Sequence, residues 1–231
     1  MKDFRIDARL LSVAKFVRQG AIFADIGTDH AYLPLALLKE GRIERAIASD
    51  INEGPLASAR ANAEEAGITE GIKFTLTDGA AALANEGITD IAIAGMGGEL
   101  IADIVEKATF LKNPKTRLIL QPMTRQGYLR RYLAGAGYAI ESEDYSYSAG
   151  KYYLTLCAHY CGEAREIDEF EAELGRREFH QPMTEEKQAF FEKKRSSYKK
   201  IADGKREGGA SSEPELSLYL YINEILGGES V

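Results

Sequence analysis

The chain has 231 residues, a net charge of −7 at neutral pH and 45% hydrophobic residues. That length allows one core of roughly 150 residues plus a smaller second unit, and no stretch approaches the roughly 18 to 20 apolar residues of a membrane span. The acidic balance argues against a nonspecific nucleic-acid binder, and the opening MKDFRIDARLLSVAKFV carries aspartates without a cleavage site, so neither a secretory signal nor a matrix presequence is expected.

Residues 7 to 18 space Leu10, Leu11, Ala14 and Val17 as one face of a first helix. AIFAD then reads as a short apolar strand ending in an acid, and AYLPLALLKEG as a helix stopped by Gly41. ERAIASD is a second strand, followed by a helix opening near Pro55 and stopping at Gly67. IKFTLTDG, a short alanine-rich helix, DIAIAGMGG, GELIADIVEKA, TRLILQP and RQGYLRRYLAGAG continue the alternation, the last helix read as broken by glycines. The strands are apolar without clean alternation, as in a doubly wound parallel sheet covered on both faces.

YAIESEDYSYS and KYYLTLCAHY flank Ala149-Gly150 and read as a tyrosine-rich pair, the last strand inserting antiparallel beside its neighbours. Cys157, His159 and Cys161 alternate at period two on that strand, a poor geometry for one ion, so no metal site is expected and a reduced cytoplasmic setting suits them. After Gly162 no strand pattern returns. Residues 163–174, 184–202 and the final LSLYLYINEIL read as helices, with GKREGGASSEPE as a polar loop. This predicts a division into residues 1–161 and a helical appendage, 162–231, whose few apolar positions pair its helices as an antiparallel hairpin. Its run of RR, KKR, KK and KR offers a local basic face on an acidic protein, or simply a solvated helix surface.

Ligands of open α/β sheets lie beyond the carboxyl ends of the strands. There the chain places Asp25, Gly27, Asp29 and His30 after the first strand, Asp50 after the second, and Asp78 with Gly79 after the third. Gly27 lets backbone approach a ligand, and Asp29 suits either a helix cap or a ligand contact. A single glycine among carboxylates is a poor phosphate cradle, whereas a sulfonium nucleoside carries positive charge and no phosphate. The acids therefore favour S-adenosylmethionine over a dinucleotide, with Asp50 placed to take the ribose hydroxyls. Gly95, Met96, Gly97 and Gly98 leave the fourth strand end nearly bare, and Gln121, Pro122 and Met123 form the opposite rim of the crevice.

DIGTDHAYLP, AGMGG and LILQPM, in this order and spacing, resemble the bacterial tRNA adenine-22 N1-methyltransferases from about Arg9 to Cys161. The resemblance implies a Rossmann-like, seven-stranded class I methyltransferase core with a small coiled-coil-like helical domain, moving a methyl group from S-adenosylmethionine to N1 of adenine in tRNA. It places Asp25, Gly27, Asp29, Asp50, Asp78, Gly79, Gly95 and Met96 around the cofactor, and Asp29 and His30 beside the reacting centre. Arg9, Gly97, Gly98, Gln121 and Pro122 fall on the substrate side, and Lys194, Arg195 and Lys199 on the tRNA phosphates. No obligate protein partner and no membrane are implied. The Asn-Pro-Pro-aromatic motif of amino-methylating enzymes is replaced by AGMGG, which suits a ring-nitrogen target. The alternatives are a methyltransferase for a small molecule or protein, and a noncatalytic RNA-binding module with a vestigial cleft.

Overall fold

The computed structural model describes residues 6–227. In chain order the elements are α1 (Ala8–Phe16), β1 (Ala21–Ile26), α2 (Tyr32–Lys39), β2 (Ile43–Asp50), α3 (Glu53–Ala66), β3 (Ile72–Leu76), β4 (Asp90–Gly97), α4 (Gly98–Lys107) and β5 (Arg117–Thr124), followed by α5 (Gln126–Gly135), β6 (Tyr138–Ser148), β7 (Lys151–Tyr160), α6 (Glu169–Leu174), α7 (Glu185–Glu207) and α8 (Glu213–Ile225). One seven-stranded sheet runs β3-β2-β1-β4-β5-β7-β6. Its first five strands pair in parallel, and β7 inserts antiparallel between β5 and β6. The sequence reading of this sheet holds, including the antiparallel ending.

Central strands are buried on both faces: Phe23, Ala24, Ile91, Ala92, Leu118, Ile119 and Leu120 are all excluded from water. Helices start where local donors find acceptors. The Asp7 carboxylate accepts from the Leu10 amide at 2.9 Å, and Asp168 accepts from that of Glu171 at 2.7 Å. Several boundaries differ from expectation. α3 begins two residues before Pro55, which fits inside a first turn because its missing N–H has no helical acceptor there. The alanine-rich helix is a single 3-10 turn, Ala81–Leu83. α5 is unbroken, because Gly127 serves packing: a β-carbon there would overlap the Glu173 carboxylate. α7 runs on to Glu207, leaving only residues 208–212 as loop.

The C-terminal helices do pair, but they also enter the main core. Phe190, Phe191, Leu218 and Ile222 belong to the same buried cluster as Leu118, Leu154 and Leu156 of the sheet. Tyr145 of β6 meets Phe190 edge-on at 5.0 Å between centroids and Phe191 at 5.9 Å. Residues 162–227 therefore share a core with the sheet instead of forming one of their own. Beneath this junction, Arg130 and Glu143 form an ion pair at 2.9 Å with side chains only 2% and 1% exposed. Arg130 also donates to the Ala172 carbonyl, and the Tyr145 hydroxyl donates to Glu143. Among the described residues no helix is long and apolar enough to cross a membrane.

Candidate active site

The carboxyl ends of β1 and β4 open into a cavity of about 540 Å³. It is walled by the start of α1 (Asp7, Arg9, Leu10), the segment from Gly27 to Leu33, and Asp25, Ala94 and Gly95. The segment after β1 is pinned by two backbone bonds, Gly27 and Thr28 both donating to the Ser49 carbonyl of β2 at 2.8 and 2.9 Å. Gly27 has φ +74°, and a β-carbon there would overlap the Met96 terminal methyl. The left-handed backbone favours glycine here, and the neighbouring Met96 methyl joins this loop to the fourth strand end.

Asp25 sits at the buried floor. Burial pushes its carboxyl up to about 6, with Asp50 adding repulsion, while the Thr28 hydroxyl and the Arg9 guanidinium pull the other way. The Asp29 side chain is 80% exposed and lies 3.5 Å from His30 Nε2. It is not a helix cap: the residue before α2 is Ala31, in a left-handed conformation at φ 53°, and no side chain caps that helix. His30 stacks on Tyr32 with centroids 5.2 Å apart and planes 26° off parallel. Its carbonyl accepts from Asn62 of α3 at 3.0 Å, which fixes this turn from below.

Gln121 is fully buried, and its Oε1 accepts from both Arg9 Nη1 and the Gly95 amide, each at 3.1 Å. One side-chain amide thus ties α1, the β4 end and the β5 end together, giving the buried oxygen the partners it requires. Gly98 is equally constrained, since a β-carbon would overlap the Arg125 carbonyl oxygen. A β-carbon on Gly97 would meet the Thr124 hydroxyl only at ordinary contact, and Pro122 is buried.

The cavity wall therefore gathers Arg9, Asp25, Gly27, Asp29, His30 and Gly95. Asp50, Asp78 and Gly79 lie farther along the same sheet edge, at the ends of β2 and β3, with the Asp50 Oδ1 accepting from the Asn52 amide at 2.8 Å. Met96, Gly97, Gly98, Gln121 and Pro122 form the β4–β5 rim. Sequence reasoning did not single out several lining residues, among them the polar Asp7, Thr28 and Tyr32. Asp7 carried no signal beyond its place before the first helix, and Thr28 and Tyr32 stood only as members of DIGTDHAYLP. The Thr28 hydroxyl is buried without a hydrogen-bond partner of good geometry.

The basic residues on α7 do not form a set. Lys194 is partly buried and donates to the Glu173 carbonyl at 2.7 Å and its carboxylate at 3.1 Å. Burial pushes the Lys194 ammonium down, and Glu173 offsets only part of that. Arg195 is partly buried and donates to Asn223 of α8 at 3.2 Å. These two hold the helix pair to the core and to each other, so their donors are engaged within the chain. Lys199 stays on the exposed side, with its ammonium 5.7 Å from the Tyr219 ring centre.

Residues 6–156 match a family model described as a methyltransferase domain. A tRNA (adenine(22)-N(1))-methyltransferase of Bacillus subtilis (strain 168) is 37% identical over 158 residues, covering 68% of this chain and 66% of that protein, just under two thirds of its length. Among solved structures, a Streptococcus pneumoniae protein assigned to tRNA (m1A22) methylation, in complex with S-adenosyl-L-methionine, is 33% identical with a TM-score of 0.83, covering 96% of this chain and 100% of that one. A Mycoplasma capricolum homologue bound to the product S-adenosyl-homocysteine is 28% identical with a TM-score of 0.76, covering 95% and 96%. The similarity extends through the C-terminal helices as well as the sheet, and the chain belongs to the S-adenosylmethionine-dependent tRNA (m1A22) methyltransferase family.

Proposed function

We propose that this chain transfers the methyl group of S-adenosylmethionine to N1 of adenine 22 in tRNA. The observation that carries the reading is the cavity at the β1 and β4 ends, acidic at its floor and mouth and bordered by Gly27, whose left-handed backbone favours glycine. Its donor set suits a cationic nucleoside: Asp25 and Asp29 supply negative charge, the Thr28 hydroxyl has hydrogen-bonding capacity to spare, and Asp50 stands at the usual ribose position. When bound, S-adenosylmethionine supplies a methyl group already activated by positive sulfur.

N1 of adenine is nucleophilic once freed from pairing, so the chain need not create a strong base. Its residues align and compensate charge. Asp25, ionised above its raised pKa, would set negative charge at the floor against a bound cationic donor. Asp29, exposed at the mouth, stabilises the cationic adenine or takes a proton from its exocyclic amine. His30 shares that mouth as the second polar group. Arg9, held by Gln121, puts one cation on the opposite wall, where the donor's carboxylate or an RNA phosphate would meet it. The target base must leave its stack to reach the cavity, and α7 and α8, with Lys199 outward, offer a surface to the rest of the tRNA.

The test is incubation with labelled donor and bulk bacterial tRNA, followed by digestion and mapping of the methylated nucleoside. 1-Methyladenosine at position 22 is the expected product. Donor binding without label in any RNA overturns the assignment.

A further inference from the structure

The β6–β7 hairpin ends on the same sheet edge as the cavity, and its tip has no part in the chemistry above. Pairing of β7 with β5 stops at Leu120–Leu156, yet β7 starts at Lys151 and β6 ends at Ser148. The tip is therefore a two-stranded ribbon running past the last β5 pairing, closed by a two-residue turn whose members, Ala149 and Gly150, both have positive φ (48° and 79°).

Its two faces differ by the pleat. One face carries Asp144, Ser148 and Thr155, which reach α1: Lys15 donates to Asp144 at 2.9 Å, Ser12 to Thr155 at 2.9 Å and Ser148 to Asp7 at 3.0 Å. Asp7 lines the cavity, so the tip is tied to the cavity wall. The other face carries Tyr145, covered by Phe190 and Phe191 of α7, and next to it the cross-strand pair Tyr147 and Tyr152. Those two rings lie 4.8 Å apart, and Tyr147 is 50% exposed. Tyr152 packs partly against the main core, and Tyr147 beside it is the member of the pair open to solvent.

We infer that Tyr147 and Tyr152 form a stacking platform for an unpaired base of the tRNA flanking the target adenine. An aromatic pair on a rigid, twice-anchored ribbon loses little freedom on binding, and every base has a face to stack on. The position fits: the ribbon tip lies at the ligand edge of the sheet and is bonded to Asp7 of the cavity wall. The inference rests on tRNA being the substrate.

The experiment compares wild type with Tyr147→Ala/Tyr152→Ala and Tyr147→Phe/Tyr152→Phe, using a tRNA transcript with adenine at position 22. Single-base stacking is worth about 1–3 kcal/mol, so the alanine pair should raise the tRNA KM and Kd at least about fivefold. Donor affinity and the slope of log Kd against log salt should not change, since no phosphate contact is lost. The phenylalanine pair should stay within about twofold of wild type. If the alanine pair melts early, Tyr147→Ala alone, on a half-exposed side chain, carries the test. Wild-type tRNA affinity in the alanine variants, or a changed salt slope, overturns the platform while leaving adenine-22 methylation standing. A wild type that neither binds nor methylates the transcript overturns both.

Discussion

Two clusters of ionisable groups lie in this molecule, and they are built on opposite principles. Around Arg130 every charge has a partner: Glu143 in a two-contact ion pair, Tyr145 on Glu143, and Lys194 and Tyr198 on Glu173. Burial alone would lower the Arg130 pKa, but Glu143 and its neighbours more than reverse it. At the strand ends the acids outnumber the cations, and Asp25 is buried at a cost large enough to lift its carboxyl to about 6. The compensated cluster fixes the C-terminal helices on the sheet. The uncompensated one keeps an unfavourable charge in place for a ligand to relieve.

The sharpest way to break this contrast is to remove one partner from each cluster. Glu143→Ala leaves Arg130 buried and unpaired, and denaturant unfolding should show a loss of about 3–5 kcal/mol. Replacing the pair together, Arg130→Met with Glu143→Leu, should cost much less. Equal losses for the single and double variants would mean that the pair is not mutually compensating.

Asp25→Asn should do the reverse to stability. The folded pKa lies above the ordinary 3.8, so stability is lost as pH rises between about 4 and 6, where the unfolded state ionises first. At pH 7 the variant without donor should therefore be more stable by about 1–3 kcal/mol, while calorimetry should show donor affinity reduced at least about tenfold. Unchanged donor affinity would remove Asp25 from the cofactor site.

A finer version uses pH alone. Because the ionised carboxylate is the form that meets a cationic donor, donor Kd should rise as pH falls below about 6, approaching tenfold per unit, and flatten above 7. Asp25→Asn should erase that dependence. The smallest effect belongs to the exposed lysines. Lys199→Ala with Lys200→Ala should lower the salt slope of tRNA binding by up to about one unit per lost phosphate contact, with donor affinity and melting temperature unchanged. Overlapping salt titrations would confine these lysines to solubility.

The two clusters also differ in how far the sequence discloses them. Asp25, Gly27, Asp50 and Asp78 are readable because strand periodicity puts each at a carboxyl end, where topology brings them to one edge. The Arg130 cluster is not, because a charged residue in a helix reads as solvated whether or not its partner lies far along the chain. Lys194 sits in a run of lysines, and only the packing of Phe190 and Phe191 onto Tyr145 reveals which way it points. The same packing explains why the appendage looked too polar for a core: its apolar residues complete the sheet's core instead of their own. Arg9 escaped any derivation from its neighbours, since its position depends on Gln121, 112 residues away.

Gly98 has a practical consequence for anyone who wishes to redirect this scaffold to another nucleobase. Its α-carbon lies so close to the Arg125 carbonyl that no larger residue fits, and the Glu99–Arg125 ion pair at 2.9 Å adds a second clasp across the same gap. The β4–α4 and β5–α5 turns are consequently a single module. Libraries that vary one turn while holding the other constant will sample mostly misfolded combinations, whereas exchanging both turns together, with Gly98 retained, keeps the clasp and frees the remaining rim positions for selection.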